Sequence, residues 1–296
     1  MTGRLPPAHA LLALAVVAVW GTNFVIVKTA LATMPPLLMA TLRFVLAVLP
    51  AILFLPRPAV PWRELATYGV LIGAGQFGLM FFAMDGLISP GLVSLVIQTQ
   101  VFFTIALSMR LHHERLLPLQ WLALALAATG LLTIAIFTDA STTPAGLAMV
   151  LTAALCWAAG NLVAKRASGV NMLAYVVWGS LFSVPPLLLM SLLVEGPAAI
   201  GAALQSAGLG VWAAVLWQAL GNTLFGYAAW GWLLARHPAA TITPMALLVP
   251  VFGLASAAIW LAEPLPAWKL VAAAFVIGGL ALNLLGPRLR LLFAPG

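Results

Sequence analysis

The sequence predicts an all-α integral membrane protein of ten transmembrane helices, arranged as two inverted five-helix repeats. Three observations carry that reading. First, the 296 residues are 64% hydrophobic and 6% charged, whereas a soluble domain carries about 25% charged residues. Second, apolar stretches of helix-spanning length alternate with short turn-rich separators through the whole chain, and a helix crosses a hydrocarbon core of about 30 Å in about 20 residues. Third, the second half echoes the first at an offset of about 149 residues, with its charges on the opposite side.

The expected spans are 9–31, 35–55, 66–87, 90–109, 117–137, 145–165, 171–194, 207–235, 238–261 and 266–286. Prolines and glycines punctuate them: Pro35 and Pro36, Pro56 and Pro58, Pro144, Gly196 and Pro197, Pro238. The fourth span opens on Pro90, which suits a first helical turn because its missing N–H would be unpaired there anyway. Pro185 and Pro186 in the seventh span, and Pro244 and Pro250 in the ninth, predict local breaks. Near the N-terminus, Arg4 and the apolar run after it resemble a signal peptide. No A-x-A-like site follows and apolar sequence continues to Ala32, so the run reads as a first span.

Charge fixes the expected orientation. With both termini in the cytoplasm, ten of the thirteen Lys and Arg lie on that side: Arg4, Arg57, Arg63, Arg110, Arg115, Lys165, Arg166, Arg236, Arg288 and Arg290. Lys28, Arg43 and Lys269 are the exceptions, and Asp85, Asp139, Glu195 and Glu263 fall outside. Basic residues in short loops mark the cytoplasmic face. The pI near 10.6 therefore sets topology and implies no nucleic-acid partner. A single cysteine, Cys156, excludes an intrachain disulfide and a thiolate cluster, and no cofactor or metal is expected.

The repeat is read from paired landmarks. Trp20, Asn23 and Lys28 return as Trp157, Asn161 and Lys165. Val101, Phe102, Glu114, Gln120 and Gly130 return as Val251, Phe252, Glu263, Lys269 and Gly279. Five spans is an odd number, so the second half inserts upside down; the expected repeats are residues 1–139 and 140–296. Inverted repeats are a transporter architecture, with the site at the repeat interface. Duplication in a scaffold or an enzyme without transport function is the bland reading.

With the repeat in hand, the chain resembles the drug/metabolite transporter superfamily and its EamA-type ten-span members. The carrying residues are Trp20, Asn23, the run from Leu248 through Pro250 to Phe252, then Glu263 with Pro264 and Leu265, and the glycines Gly130, Gly278 and Gly279. Gln100 departs from the pattern, standing where the second half has Pro250. Within the superfamily the chain is most similar to the YddG-type exporters of aromatic and other neutral amino acids. The resemblance implies an inner-membrane efflux protein, with both termini cytoplasmic and a central cavity lined by spans 1, 3, 4, 6, 8 and 9. Its implied partners are the bilayer and a small-molecule substrate. Export of other metabolites or of lipophilic drugs is the alternative.

Midplane polarity supplies candidate site residues. An amide side chain has no water to pair with in hydrocarbon, so it faces protein or a wet cavity. Asn23, Gln76, Gln98, Gln100, Asn161, Gln218 and Asn222 lie inside five of the spans. Trp20, Phe77, Phe81, Trp157 and Trp217 accompany them, the three tryptophans away from the interfacial belt where Trp usually sits. An apolar pocket with a few amides suits a neutral amino acid with a hydrophobic side chain. Helix-to-helix hydrogen bonds are the bland reading of each amide, worth about 0.6 kcal/mol on average. Arg43 and Lys28 are the candidate cations, read first as a partner of Asp85 and as snorkelling outward; the expected partners of a substrate carboxylate are amides and backbone N–H groups freed where the prolines break the helices. Glu114 is expected to pair with Arg110 or Arg115, and Glu263 with Lys269. His112, His113 and His237 read as loop residues. No acid lies at a midplane and no nucleophile has a base beside it, which argues against an intramembrane enzyme.

Overall fold

The computed structural model describes residues 5–112, 118–137, 142–167, 169–237 and 239–293. Among these the chain forms ten helical runs, which we number α1 to α10. They are α1 (Pro7–Ala30), α2 (Pro36–Ala51), α3 (Trp62–Met84), α4 (residues 90–112), α5 (Pro118–Ile136), α6 (Pro144–Ala164), α7 (Met172–Ser206), α8 (residues 209–236), α9 (residues 239–260) and α10 (Ala267–Phe293). Eight are long and apolar enough to cross a membrane. The other two are α2, apolar but 16 residues long, and α8, whose Gln218, Asn222, Thr223 and tryptophans dilute its apolar run. The Glu114, Arg115 and Asp139 expectations lie outside the described residues.

The helix starts follow the sequence closely. Proline occupies the first turn of α1, α2, α4 and α6, where it costs no backbone hydrogen bond. Thr143 caps α6 through Gly146 N–H, and Asn171 caps α7 through the N–H groups of Leu173 and Ala174.

One departure is the end of α7. The separator expected over 195–206 is instead an 11-residue helix, Gly196–Ser206, set off by a corner at Gly196 with φ of 82°. That left-handed conformation suits glycine because it has no Cβ. Earlier in α7 the helix breaks at Phe182 and Ser183 and restarts at Val184, with Pro185 and Pro186 in the new first turn.

The distortions recur between halves. A π-helical turn interrupts α3 at Leu71–Gly78 and α8 at Trp217–Phe225. A 3₁₀ turn interrupts α4 at Ile97–Thr99 and α9 at Thr243–Leu247. In α9 Pro244 explains the tighter turn. In α4 no proline or glycine does, and nothing in the local sequence forecasts it.

Packing recurs as well. α1 lies on α9, where a Cβ on Gly21 would meet the Val249 carbonyl at 2.6 Å. α6 lies on α4 and α3, where a Cβ on Gly160 would meet Ile72 at 2.8 Å. α2 packs on α7 and α8, and α7 on α2 and α3. α5 and α10 pack on each other along their lengths. Gly130 faces the Ala272 carbonyl at 2.8 Å, and Gly279 the Ala123 carbonyl at 2.6 Å, each measured from an added Cβ. Small residues of this kind let membrane helices approach closely.

Polar contacts fasten the bundle end that carries the starts of α2, α4 and α6. Glu195 accepts from Leu37 N–H at 2.6 Å, Leu38 N–H at 3.0 Å and the Ser191 hydroxyl at 2.6 Å. Glu263 accepts from Gly91 N–H at 3.0 Å and from Ser89, and pairs with fully buried Lys269 at 2.9 Å. Two carboxylates from the second half thus cap helix N-termini of the first, where the unpaired N–H groups and the helix dipole favour an anion. Lys28 donates to the Met84 carbonyl at 2.8 Å, and Thr143 N–H to the Leu87 carbonyl at 2.8 Å.

At the other end the contacts are mostly aromatic. Trp178 donates to the Leu55 carbonyl at 3.0 Å and meets Trp62 edge-on, with Arg57 over the Trp62 ring. His9 and His237 share a hydrogen bond of 2.7 Å, with Trp232 edge-on to His9. His237 is therefore half of a histidine pair, and not simply a loop residue.

Candidate functional site

Partway along α2, Arg43 is buried to 1% exposure, and its partners come from α2, α3 and α8. Its Nε and Nη2 donate to the Thr223 hydroxyl at 3.2 and 3.0 Å, and its Nη1 to the Gln218 amide oxygen at 3.3 Å. The guanidinium lies over the Phe77 ring at 3.6 Å. Phe44 and Phe81 close edge-on against Phe77. Thr223 spends its own proton on the Gln218 carbonyl at 2.9 Å, an i to i+5 contact made by the π turn, so its oxygen faces Arg43 as an acceptor. Gln218 donates through Nε2 to the Asn23 side-chain oxygen, which orients its own oxygen toward Arg43. One polar chain therefore runs from α1 through α8 to α2.

The expected pairing of Arg43 with Asp85 is not what the structure holds. Its partners are a hydroxyl, an amide and aromatic faces. The reason is position: Asp85 terminates α3, whereas Arg43 lies about 10 Å along α2 from Pro36 at about 1.5 Å per residue. The expected pairing of Glu263 with Lys269 is present. Lys28 ends on the Met84 carbonyl.

The remaining candidates divide into two groups. Trp20 donates its indole N–H to the Asn222 carbonyl at 3.1 Å and packs against Tyr227 and Trp230. This extends the first cluster along α1 and α8. Asn161 of α6 donates to the Gln100 amide oxygen of α4 at 3.1 Å, forming a second pair on the other side of the bundle. Gln98 is buried on the 3₁₀ turn of α4, and Trp157 is half-buried on α6. Gln76 is buried with its amide oxygen unpartnered, and the Trp217 indole N–H is buried without an acceptor.

Four of the seven amides thus bond one another. In this conformation the helix-to-helix reading accounts for Asn23, Gln218, Gln100 and Asn161. Gln76 retains unspent capacity. Sequence reasoning left out Thr223, which anchors Arg43; its only signal was proximity to Gln218 and Asn222 in a span already rich in polar groups. Among the described residues no group of three or more His, Cys, Asp or Glu could hold a metal. The described acids Glu64, Asp85, Glu195 and Glu263 all lie near helix ends, so among the described residues this core contains a cation and amides with no acid beside them.

Comparison with known proteins gives the family. The EamA-like transporter family model matches twice, over residues 8–136 and 144–285. A protein of Salmonella typhimurium named "Probable amino-acid metabolite efflux pump" is 41% identical over 94% of this chain and 95% of its own length. A protein of Escherichia coli strain K12 with the same name is 38% identical over the same shares. A solved crystal structure superposes with a TM-score of 0.65 at 18% identity, over 97% of this chain and 100% of that one, which shows a shared fold. The apolar helices make the chain a multi-pass membrane protein, and the matches make it a transporter and not an enzyme. The chain belongs to the EamA-like transporter family.

Proposed function

We propose that this protein exports neutral amino acids, aromatic and other apolar ones foremost, and related amino-acid metabolites across a bacterial inner membrane. The observation that carries the reading is the buried core of amides, aromatic rings and one arginine assembled from both halves of the chain. A pocket of that composition suits a ligand with an apolar side chain and a small polar head. The names borne by the Salmonella and Escherichia relatives point the same way.

The working units are residues 1–139 and 140–296, ten spans as two inverted repeats, with both termini cytoplasmic. The paired π and 3₁₀ distortions and the twofold match of the family model support this division. Transport is by alternating access: one repeat rocks against the other about the mid-depth site. Asn23 with Gln218, and Gln100 with Asn161, are the contacts that part as the substrate enters. Gln76, Gln98 and Asn222 supply polar groups; Trp20, Trp157, Trp217, Phe77 and Phe81 supply the apolar walls. Flux is uncoupled and runs down the substrate gradient, because every described carboxylate lies near a helix end.

Counterflow of labelled phenylalanine into proteoliposomes tests the reading. Unlabelled aromatic and branched amino acids should compete, and Trp20→Ala, Trp157→Ala or Gln98→Ala should lower flux without loss of folded protein. Competition by lipophilic cations alone, or unchanged flux in all three variants, refutes it. A pH gradient that drives accumulation against concentration refutes the uncoupled mode.

A further inference from the structure

Arg43 carries a full charge with no anion beside it among the described residues. Its three hydrogen bonds go to neutral acceptors, the Thr223 hydroxyl and the Gln218 amide oxygen. The residue is 1% exposed, and the described carboxylates sit near helix ends. Removing a charge from water costs several kcal/mol even after relaxation. A cation–π contact such as that with Phe77 returns about 2 kcal/mol when desolvated. Hydrogen bonds from a charged donor to neutral acceptors return about 1.5–3 kcal/mol each. A strut between α2 and α8 needs none of this charge, since a glutamine donates to the same hydroxyl and amide. An anion arriving at the guanidinium would offset more of the cost than neutral acceptors do.

The donor pattern of the guanidinium suits one kind of anion. A guanidinium has five N–H groups, and three are engaged here. Thr223 takes two of them, on Nε and Nη2, and two N–H groups on neighbouring nitrogens suit a carboxylate, which accepts them as a pair. The present acceptors are held by relays that can let go: Thr223 through the Gln218 carbonyl, Gln218 through Asn23. One residue along α3 from Phe77, Gln76 keeps a buried amide oxygen without a donor, an acceptor suited to an ammonium group.

We propose that Arg43 binds the α-carboxylate of the cargo and that Thr223 and Gln218 hold its place when cargo is absent. The site then selects zwitterionic amino acids over their amides and over the corresponding amines. This deepens the exporter reading and rests on it. It also assigns Thr223 a definite task, competition with the substrate for two of the five guanidinium protons.

The test is equilibrium binding to purified protein in lipid nanodiscs, with L-phenylalanine and L-leucine against their carboxamides. The wild type should prefer each acid by about 10- to 100-fold, the value of a charge-assisted pair of hydrogen bonds. In Arg43→Gln the preference should fall to near unity through loss of acid binding, with amide binding unchanged. Arg43→Lys should retain part of it, since an ammonium keeps the charge but not the fork. Thr223→Val frees the guanidinium and should tighten acid binding severalfold, again with the amide unaffected. A folded Arg43→Gln protein that keeps the preference overturns the proposal. If Arg43→Gln does not fold, Thr223→Val decides: unchanged acid affinity overturns the proposal and tighter acid binding supports it. A wild type that binds both acid and amide equally overturns the role of Arg43 and leaves the exporter reading standing. A wild type that binds neither overturns the amino-acid reading itself, and this inference with it.

Discussion

Replacing Glu195 with alanine should destabilise the protein by about 3–4 kcal/mol. The carboxylate accepts from Leu37 N–H at 2.6 Å and Leu38 N–H at 3.0 Å, at the first turn of α2. Both leucines are nearly inaccessible, 1% and 3% exposed, so water cannot readily replace the lost acceptor. Hydrogen bonds to a charged group contribute about 1.5–3 kcal/mol each. Glu195 itself is only half-buried, which favours the low end, about 3 kcal/mol for the two. The Ser191 hydroxyl contact at 2.6 Å adds up to about 1 kcal/mol. At about 2 °C per kcal/mol for a chain of this size, the apparent Tm should fall by about 6–8 °C. Differential scanning fluorimetry in one fixed detergent reads this, with Ser191→Ala as the control expected to lose no more than about 2 °C. A Glu195→Ala protein no less stable than Ser191→Ala would refute the view that this carboxylate caps α2.

Two further outcomes follow from close packing. Gly73 lies against Ser183 at the crossing of α3 and α7, where an added Cβ meets the Ser183 side-chain oxygen at 2.5 Å. Gly73→Ala should cost about 1–3 kcal/mol, and adding Ser183→Gly should recover part of it, as a double-mutant cycle on thermal stability will read. Gly130→Leu should force α5 from α10, because even a Cβ comes within 2.7 Å of Val276. The yield of monodisperse protein on size-exclusion chromatography should drop, while Gly231→Leu, with nothing within 4 Å, should not change it.

Most of the helix layout was legible because hydrocarbon imposes a length and forbids unpaired backbone. Expected spans such as 90–109 and 145–165 begin within a residue or so of the helices found at 90–112 and Pro144–Ala164. The 196–206 arm escaped because its Ala- and Gly-rich sequence reads equally as a linker; the Gly196 corner is what sets it off from the rest of α7. The 3₁₀ turn of α4 has no breaker residue and lies against α6, a contact between segments far apart in sequence. The site was legible as an inventory and not as a pairing. The polar residues of α1 and α8 lie inside the spans as read, but that Gln218 would bridge Asn23 and Arg43 depends on a π turn shifting its register. Asp85 appeared the natural partner of Arg43 because charge complementarity is visible in a sequence, whereas depth along two different helices is not.

The two clamps at one end of the bundle have an unequal chemistry. At Leu37 and Leu38 the donors are main-chain N–H groups, which nearly every amino acid supplies. Drift in side-chain identity at 37 and 38 therefore leaves the fastening in place, provided proline stays away. The whole vulnerability rests on the second half, where a single base change at codon 195 can unbutton it.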